Sequence, residues 1–251
     1  MFRRVTLALV IAASVIGCSL FVSLDGLNAT SSDASNDGGD ATTSGDANGD
    51  STTAIDAGDA SVDSGVIFVV DTCVADSADV VNLTNAGSID WVHYGTSTDT
   101  DVKRVSPHVI GALVQSTHGQ NPYGGDPRVF SWTDGTSFPA VGGTSNGQFD
   151  SNGPMVLSVN ANPERRVLTL YLGTFSVKAH MTISMTPGLA TSSQILQSDP
   201  DEPTQVRCVV HFASPVAAKL IMAYEIDEHL DAGGDYGNIA FISATLAADP
   251  N

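Results

Sequence analysis

The stretch Val177-Lys178-Ala179-His180-Met181-Thr182-Ile183-Ser184-Met185 decides the fold. Apolar residues hold every odd position and polar residues every even one. Successive side chains of a strand point to opposite faces, so one face of this segment enters a core and the other meets water. The pattern recurs. Leu168, Leu170 and Leu172 alternate with Thr169 and Tyr171. Val206, Cys208, Val210 and Phe212 alternate with Arg207, Val209 and His211, and residues 239–246 close the chain as another strand. Further strands are expected over 66–70, 80–83, 89–94, 109–115, 129–133 and 155–160, with turn-rich stretches at 119–126 and 142–153 between them. Ten or so short strands separated by Gly, Pro, Asn and Asp predict an all-β chain, a single jelly-roll-like β-sandwich spanning residues 66–251.

Residues 215–226 test that reading. Ser214 suits a helix cap, Pro215 a first helical turn, and Ala, Lys, Leu and Met are good helix formers. Leu220, Met222, Tyr224 and Ile226 nevertheless alternate with Ile221, Ala223, Glu225 and Asp227. Flanking strands offer pairing partners, and pairing overrides weak propensity, so a strand is expected here.

Upstream of residue 66 the composition changes. In residues 25–65, 38 of 41 residues are Asp, Ser, Gly, Ala, Thr or Asn, with no aromatic, Lys, Arg or Pro. Such a chain buries too little apolar surface to offset its entropy, and residues 18–65 read as a disordered acidic tether. As a flexible coil it would reach roughly 35 Å. Asp46, Asn48 and Asp50 alternate as in the first half of a calcium loop, but Ser51 and Ala57 stand where a turn Gly and a closing acid are needed.

The chain begins Met1-Phe2-Arg3-Arg4, followed by an uncharged apolar run over residues 5–17. That run is too short to cross a hydrocarbon core of about 30 Å and has the form of a secretory signal peptide, residues 1–17. Val15-Ile16-Gly17-Cys18 resembles the lipobox of bacterial lipoproteins. The resemblance implies a diacylglyceryl thioether on Cys18, cleavage before it, and acylation of the new N-terminus by a fatty acid such as palmitate. It implies a membrane partner and a place in the bacterial cell envelope, the outer membrane given Ser19, with the domain in the periplasm or at the surface. The alternative is a secreted protein cut elsewhere.

Composition excludes one partner class. The whole chain has 28 acidic and 10 basic residues, a formal charge of −18, and residues 66–251 alone carry eight basic against nineteen acidic. Phosphate backbones need clustered cations, so no nucleic acid is expected.

Asp90-Trp91-Val92-His93-Tyr94-Gly95, Phe130-Ser131-Trp132-Thr133-Asp134-Gly135, the run from Arg166 to Gly173 and Gly237-Asn238-Ile239 follow one another in order. Together they resemble a β-sandwich module of secreted bacterial proteins, similar in architecture to galactose-binding-like accessory modules. The resemblance covers about residues 79–248. It implies a jelly roll, implies ligand binding loosely, and carries over no catalytic residue.

Trp91, Tyr94 and Trp132, with Asp134, are the candidate ligand-binding residues, and Tyr123 has the same standing as Tyr94. Sugar sites stack rings on aromatics beside a carboxylate that accepts hydroxyl bonds. The competing reading places both Trp residues in the core. Asp227, Glu228, Asp231 and Asp235 fall in one expected loop and are candidate calcium ligands, against the plainer reading of an exposed acidic hairpin. Cys73 and Cys208 are a possible disulfide, favoured by export. The six His form no H-E-x-x-H pair, and no G-x-S-x-G, P-loop or G-x-G-x-x-G is present. The expectation is therefore a non-catalytic binding module, for glycan or an envelope protein. The alternatives are a structural or adhesive surface protein and, third, a hydrolase.

Overall fold

The computed structural model describes residues 65–76, 79–96, 99–115, 121–233 and 236–250. The chain divides into two units, residues 1–56 and 57–251. The first unit, and with it the expected signal peptide, Cys18 and most of the tether, lies outside the described residues.

Two sheets pack face to face as a β-sandwich. The smaller has the order β10 (Met155–Ala161), β15 (Ala218–His229), β12 (Val177–Thr186), β13 (Ala190–Gln197), all antiparallel. The larger runs β1 (Ile67–Val70), β14 (Pro203–Ala213), β11 (Arg166–Phe175), β16 (Asn238–Ala248), β4 (Asp90–Thr96), β5 (Asp99–Val102). Beside this path β2 (Val74–Ala75) pairs with β14, while β9 (Gly147–Asp150) pairs with β16 and with β6 (Asn121–Tyr123). From β9 onward the chain alternates between sheets, except for the β12–β13 hairpin. The resulting orders, β9-β16-β11-β14 opposite β10-β15-β12-β13, are those of a jelly roll. One corner is a single residue: Ser176, buried and with φ 50°, carries the chain from β11 to β12. Its Oγ accepts from the Asp201 backbone N–H at 2.6 Å, which holds this left-handed conformation in place.

The core between the sheets contains the alternating residues. Val177, Ala179, Met181, Ile183 and Met185 meet Leu168, Leu170 and Leu172, and Val206, Cys208, Val210 and Phe212. Residues 218–229 form strand β15, with Leu220, Met222 and Tyr224 facing this core. Cys208 is bonded to Cys73, with Cα atoms 4.3 Å apart and a sequence separation of 135.

A third layer was not legible beforehand. The sheet β3 (Val80–Asn82), β7 (Val129–Trp132), β8 (Val141–Thr144), with the short helix α1 (Leu83–Ala86), covers part of the outer face of the larger sheet. Leu83, Phe130 and Trp132 close over Trp91, Tyr171, Ala240 and Ile242. A bulge in β16 helps: the register shifts between Tyr171↔Ser243 and Leu172↔Phe241, leaving Ile242 as an extra residue that joins the outer cluster.

Three expectations are corrected. Residues 109–115 are not a strand but lie along β10 through isolated bridges, Ile110↔Val159 and Val114↔Val156. The physical reason is Asp90, whose Oδ2 accepts from the N–H groups of Val109 and Ile110 at 2.7 and 3.0 Å and takes them out of a ladder. Leu83 begins α1, capped by Asn82, rather than ending a strand. The turn-rich stretches contain β6, β9 and most of β8, strands of only three or four residues whose Gly and Pro read as turns along the chain.

Candidate functional site

The third layer covers only one end of the outer face of the larger sheet. Beyond the covered Tyr171, the next outward-facing residues form a row across four strands. Phe149 of β9 is paired with Ala240 of β16, Ala240 with Gly173 of β11, and Gly173 with Gln205 of β14. The following row is Asn238, Phe175 and Pro203. Small residues at the centre of the first row leave a floor between larger walls. The result is a cleft of about 480 Å³ lined by Tyr123, Phe149, Phe175, Gln205, Asn238 and Asp126 above the Gly173–Ala240 floor. That volume lies within the range of small-molecule sites, roughly 300–1,000 Å³.

Gly147 places the Tyr123 wall. The two residues are register partners, and a Cβ at Gly147 would stand 2.6 Å from Tyr123 Cε1, so only glycine lets the ring lie on this backbone. Tyr123 and Phe149 meet edge to face with centroids 6.3 Å apart. The Tyr123 hydroxyl donates to Asp126 Oδ2 at 3.3 Å. Burial, with the neighbouring Asp126 carboxylate, pushes this phenol far above its ordinary range, so it stays neutral.

Asp126 is held from below. Fully buried Arg128 donates Nε to Oδ1 at 2.8 Å and Nη2 to Oδ2 at 2.9 Å, and its backbone N–H donates to Oδ1 at 2.9 Å. Its Nη2 also donates to the Leu172 carbonyl, and Nη1 to the Val206 carbonyl and to Asp76 Oδ2. This buried fork ties the Tyr123–Asp126 wall to the strands forming the floor.

The residues expected to bind ligand are elsewhere. Trp91 and Trp132 are 0% and 1% exposed and pack against each other in the outer cluster, tilted by 44° with ring centroids 5.2 Å apart. Their indole N–H groups donate to Asp134 Oδ1 at 2.9 Å and to the Phe138 carbonyl at 2.8 Å. Covered on both faces, neither indole is a stacking platform. Tyr94, 1% exposed, packs edge-on against Phe241 between the two main sheets. Asp134 accepts from Thr84 Oγ1 at 2.6 Å and pairs with Lys103 Nζ at 3.2 Å. Partial burial works against its charge, yet the bonds from Thr84, Trp91 and Lys103 hold its carboxyl below the usual range. It fixes the indole and does not line the cleft.

The acidic stretch is not one loop either. Asp227 and Glu228 lie on β15, which continues to His229. Asp227 meets His180 Nδ1 at 2.6 Å, and Glu228 stands opposite Lys178. Asp231 accepts from the backbone N–H groups of Tyr236 and Gly237. Asp235 lies outside the described residues. A strand sends neighbouring side chains to opposite faces, and among the described residues no three His, Cys, Asp or Glu side chains group as metal ligands.

Of the cleft residues, sequence reasoning singled out only Tyr123 among further aromatics. Gly173 and Asn238 stood in the short pieces that carried the family resemblance. Phe149, Phe175, Gln205 and Asp126 carried no signal of their own, since a row across four strands is invisible along the chain.

The sequence matches no protein-family model and no curated protein. Among solved structures it is similar to TmCBM61 in complex with beta-1,4-galactotriose, at 14% identity over 57% of this chain and 90% of that one, with a TM-score of 0.33.

Proposed function

We propose that this chain is a lipid-anchored protein of the bacterial cell envelope, attached through Cys18, whose β-sandwich is a non-catalytic module that binds a glycan in the Tyr123–Phe149–Phe175 cleft. The observation that carries the binding reading is the cleft itself. Three partly exposed aromatic side chains surround a floor of Gly173 and Ala240, with the amides of Gln205 and Asn238 beside them. Aromatic faces take the apolar face of a sugar ring, and side-chain amides bond its hydroxyls.

The same site supports the non-catalytic reading. Glycoside hydrolysis uses two carboxylates flanking the bond. Among the described residues lining the cleft, Asp126 is the one carboxylate, and Arg128 engages both its oxygens. A protein-binding surface role has one observation in its favour. Edge strand β13 has no charged residue and, among the described residues, pairs only with β12.

The test uses the whole chain carrying Cys18→Ser, screened by affinity electrophoresis against a polysaccharide panel. At least one polysaccharide is expected to retard it. Phe175→Ala and Gln205→Ala should each weaken that binding about tenfold while leaving the urea midpoint unchanged. A folded chain that no polysaccharide retards would refute the glycan reading and turn attention to β13.

A further inference from the structure

We infer that the cleft accepts an uncharged ligand, a neutral glycan rather than a polyuronate or an amine-bearing chain. This rests on the cleft being the binding site. Charge in and under it is already consumed. The Arg128 guanidinium has five N–H donors. Nε goes to Asp126 Oδ1, Nη2 to Asp126 Oδ2 and the Leu172 carbonyl, and Nη1 to the Val206 carbonyl and Asp76 Oδ2. All five are satisfied inside the protein, so none is left for a ligand anion.

Asp126 is equally saturated. Oδ1 accepts from the Arg128 backbone N–H and Nε; Oδ2 accepts from Nη2 and from the Tyr123 hydroxyl. Four donors fill the four lone-pair positions of a carboxylate, leaving none for an ammonium or a sugar hydroxyl. Among the described residues no Lys, Arg or His lines the cleft. What remains is neutral: the Tyr123 oxygen as acceptor, the amides of Gln205 and Asn238, and three aromatic rings. One Asn238 amide hydrogen is spent on the Tyr236 carbonyl.

A ligand charge entering this cleft would lose water without meeting a counter-charge, which is costly. The formal charge of −18 adds long-range repulsion of polyanions. A polycation would be drawn to the acidic surface but not into the cleft, and salt would remove that attraction.

The test compares three neutral polysaccharides (a mixed-linkage glucan, a galactan and a mannan) with polygalacturonate and chitosan, on the whole chain carrying Cys18→Ser. A neutral polymer should bind with a Kd that changes less than about two-fold between low salt and about 1 M salt. Polygalacturonate should bind at least about tenfold more weakly. Any chitosan binding should vanish in salt and survive Phe175→Ala. Gln205→Lys, which places a free cation in the cleft, should raise binding of polygalacturonate. Salt-resistant binding of polygalacturonate or chitosan that is lost in Phe175→Ala would overturn the inference while leaving the cleft as a glycan site. Failure of every polymer to bind folded chain would remove the site, and the inference with it.

Discussion

Arg128 and Asp126, two residues apart in sequence, face each other in a two-bond fork of 2.8 and 2.9 Å with their side chains 0% and 1% exposed. Breaking a buried pair by removing one partner leaves an uncompensated charge. Arg128→Met should therefore destabilise the chain by about 3–5 kcal/mol in urea unfolding. Arg128→Lys should recover only part of this, because an ammonium cannot form the fork. A near-wild-type midpoint for Arg128→Met would show that the fork does not hold the Asp126 wall.

The disulfide supports the same wall. Two residues of β2 separate Cys73 from Asp76, whose N–H donates to the Gln205 carbonyl at 2.9 Å and whose carboxylate meets Arg128. Removing Cys73–Cys208 should cost about 2–5 kcal/mol, given the long loop that it closes. In the Cys73→Ser/Cys208→Ser variant, amide exchange should rise at Asp126, Arg128 and 205–207, while β12 and β15 keep their protection. Uniform loss of protection would refute a local role.

His93 should make stability depend on acid. Burial pushes its imidazole down to about 3, against a weaker upward pull from Asp126. Neither ring nitrogen has a hydrogen-bond partner among the described residues, and the ring lies 5.3 Å from Phe130 and 5.1 Å from Trp132. The unfolded chain takes up a proton near pH 6.5, while the folded chain does so only near pH 3. Stability is thus full above pH 6.5 and falls as pH drops toward 3, by about 2 kcal/mol at pH 5. His93→Leu should flatten this slope in urea titrations between pH 5 and 7 and cost little at neutral pH, since it leaves no polar group unpaired. An unchanged slope would place the acid sensitivity elsewhere.

Trp132→Ala should destabilise by about 3–5 kcal/mol, the cost of emptying a large core site. Trp132→Phe should cost less and leave polysaccharide retardation intact. Loss of retardation in a folded Trp132→Phe chain would return the indole to the binding site.

The strands of the sandwich core were legible because their signal is local. In 177–185, every second side chain is apolar, and the pleat converts that order directly into a buried face. Residues 218–226 of the strand expected over 215–226 were legible for the same reason, although their composition favours helix. The segment 109–115 misled because the N–H groups of Val109 and Ile110 go to Asp90, some twenty residues upstream, which leaves only isolated bridges to β10. The acidic stretch misled because Asp227 and Glu228 prolong a strand set by its partner β12.

The order of apolar and polar residues alone determined an all-β chain and which side chains share a face. It could not determine whether the outer face of the larger sheet is covered, because that depends on β3, β7 and β8 folding over it. The tertiary structure decided that Trp91 and Trp132 are buried and that Phe149, Gly173 and Gln205 stand in one row. Periodicity passes along a single strand, whereas burial and cleft geometry come from registers between strands far apart in the chain.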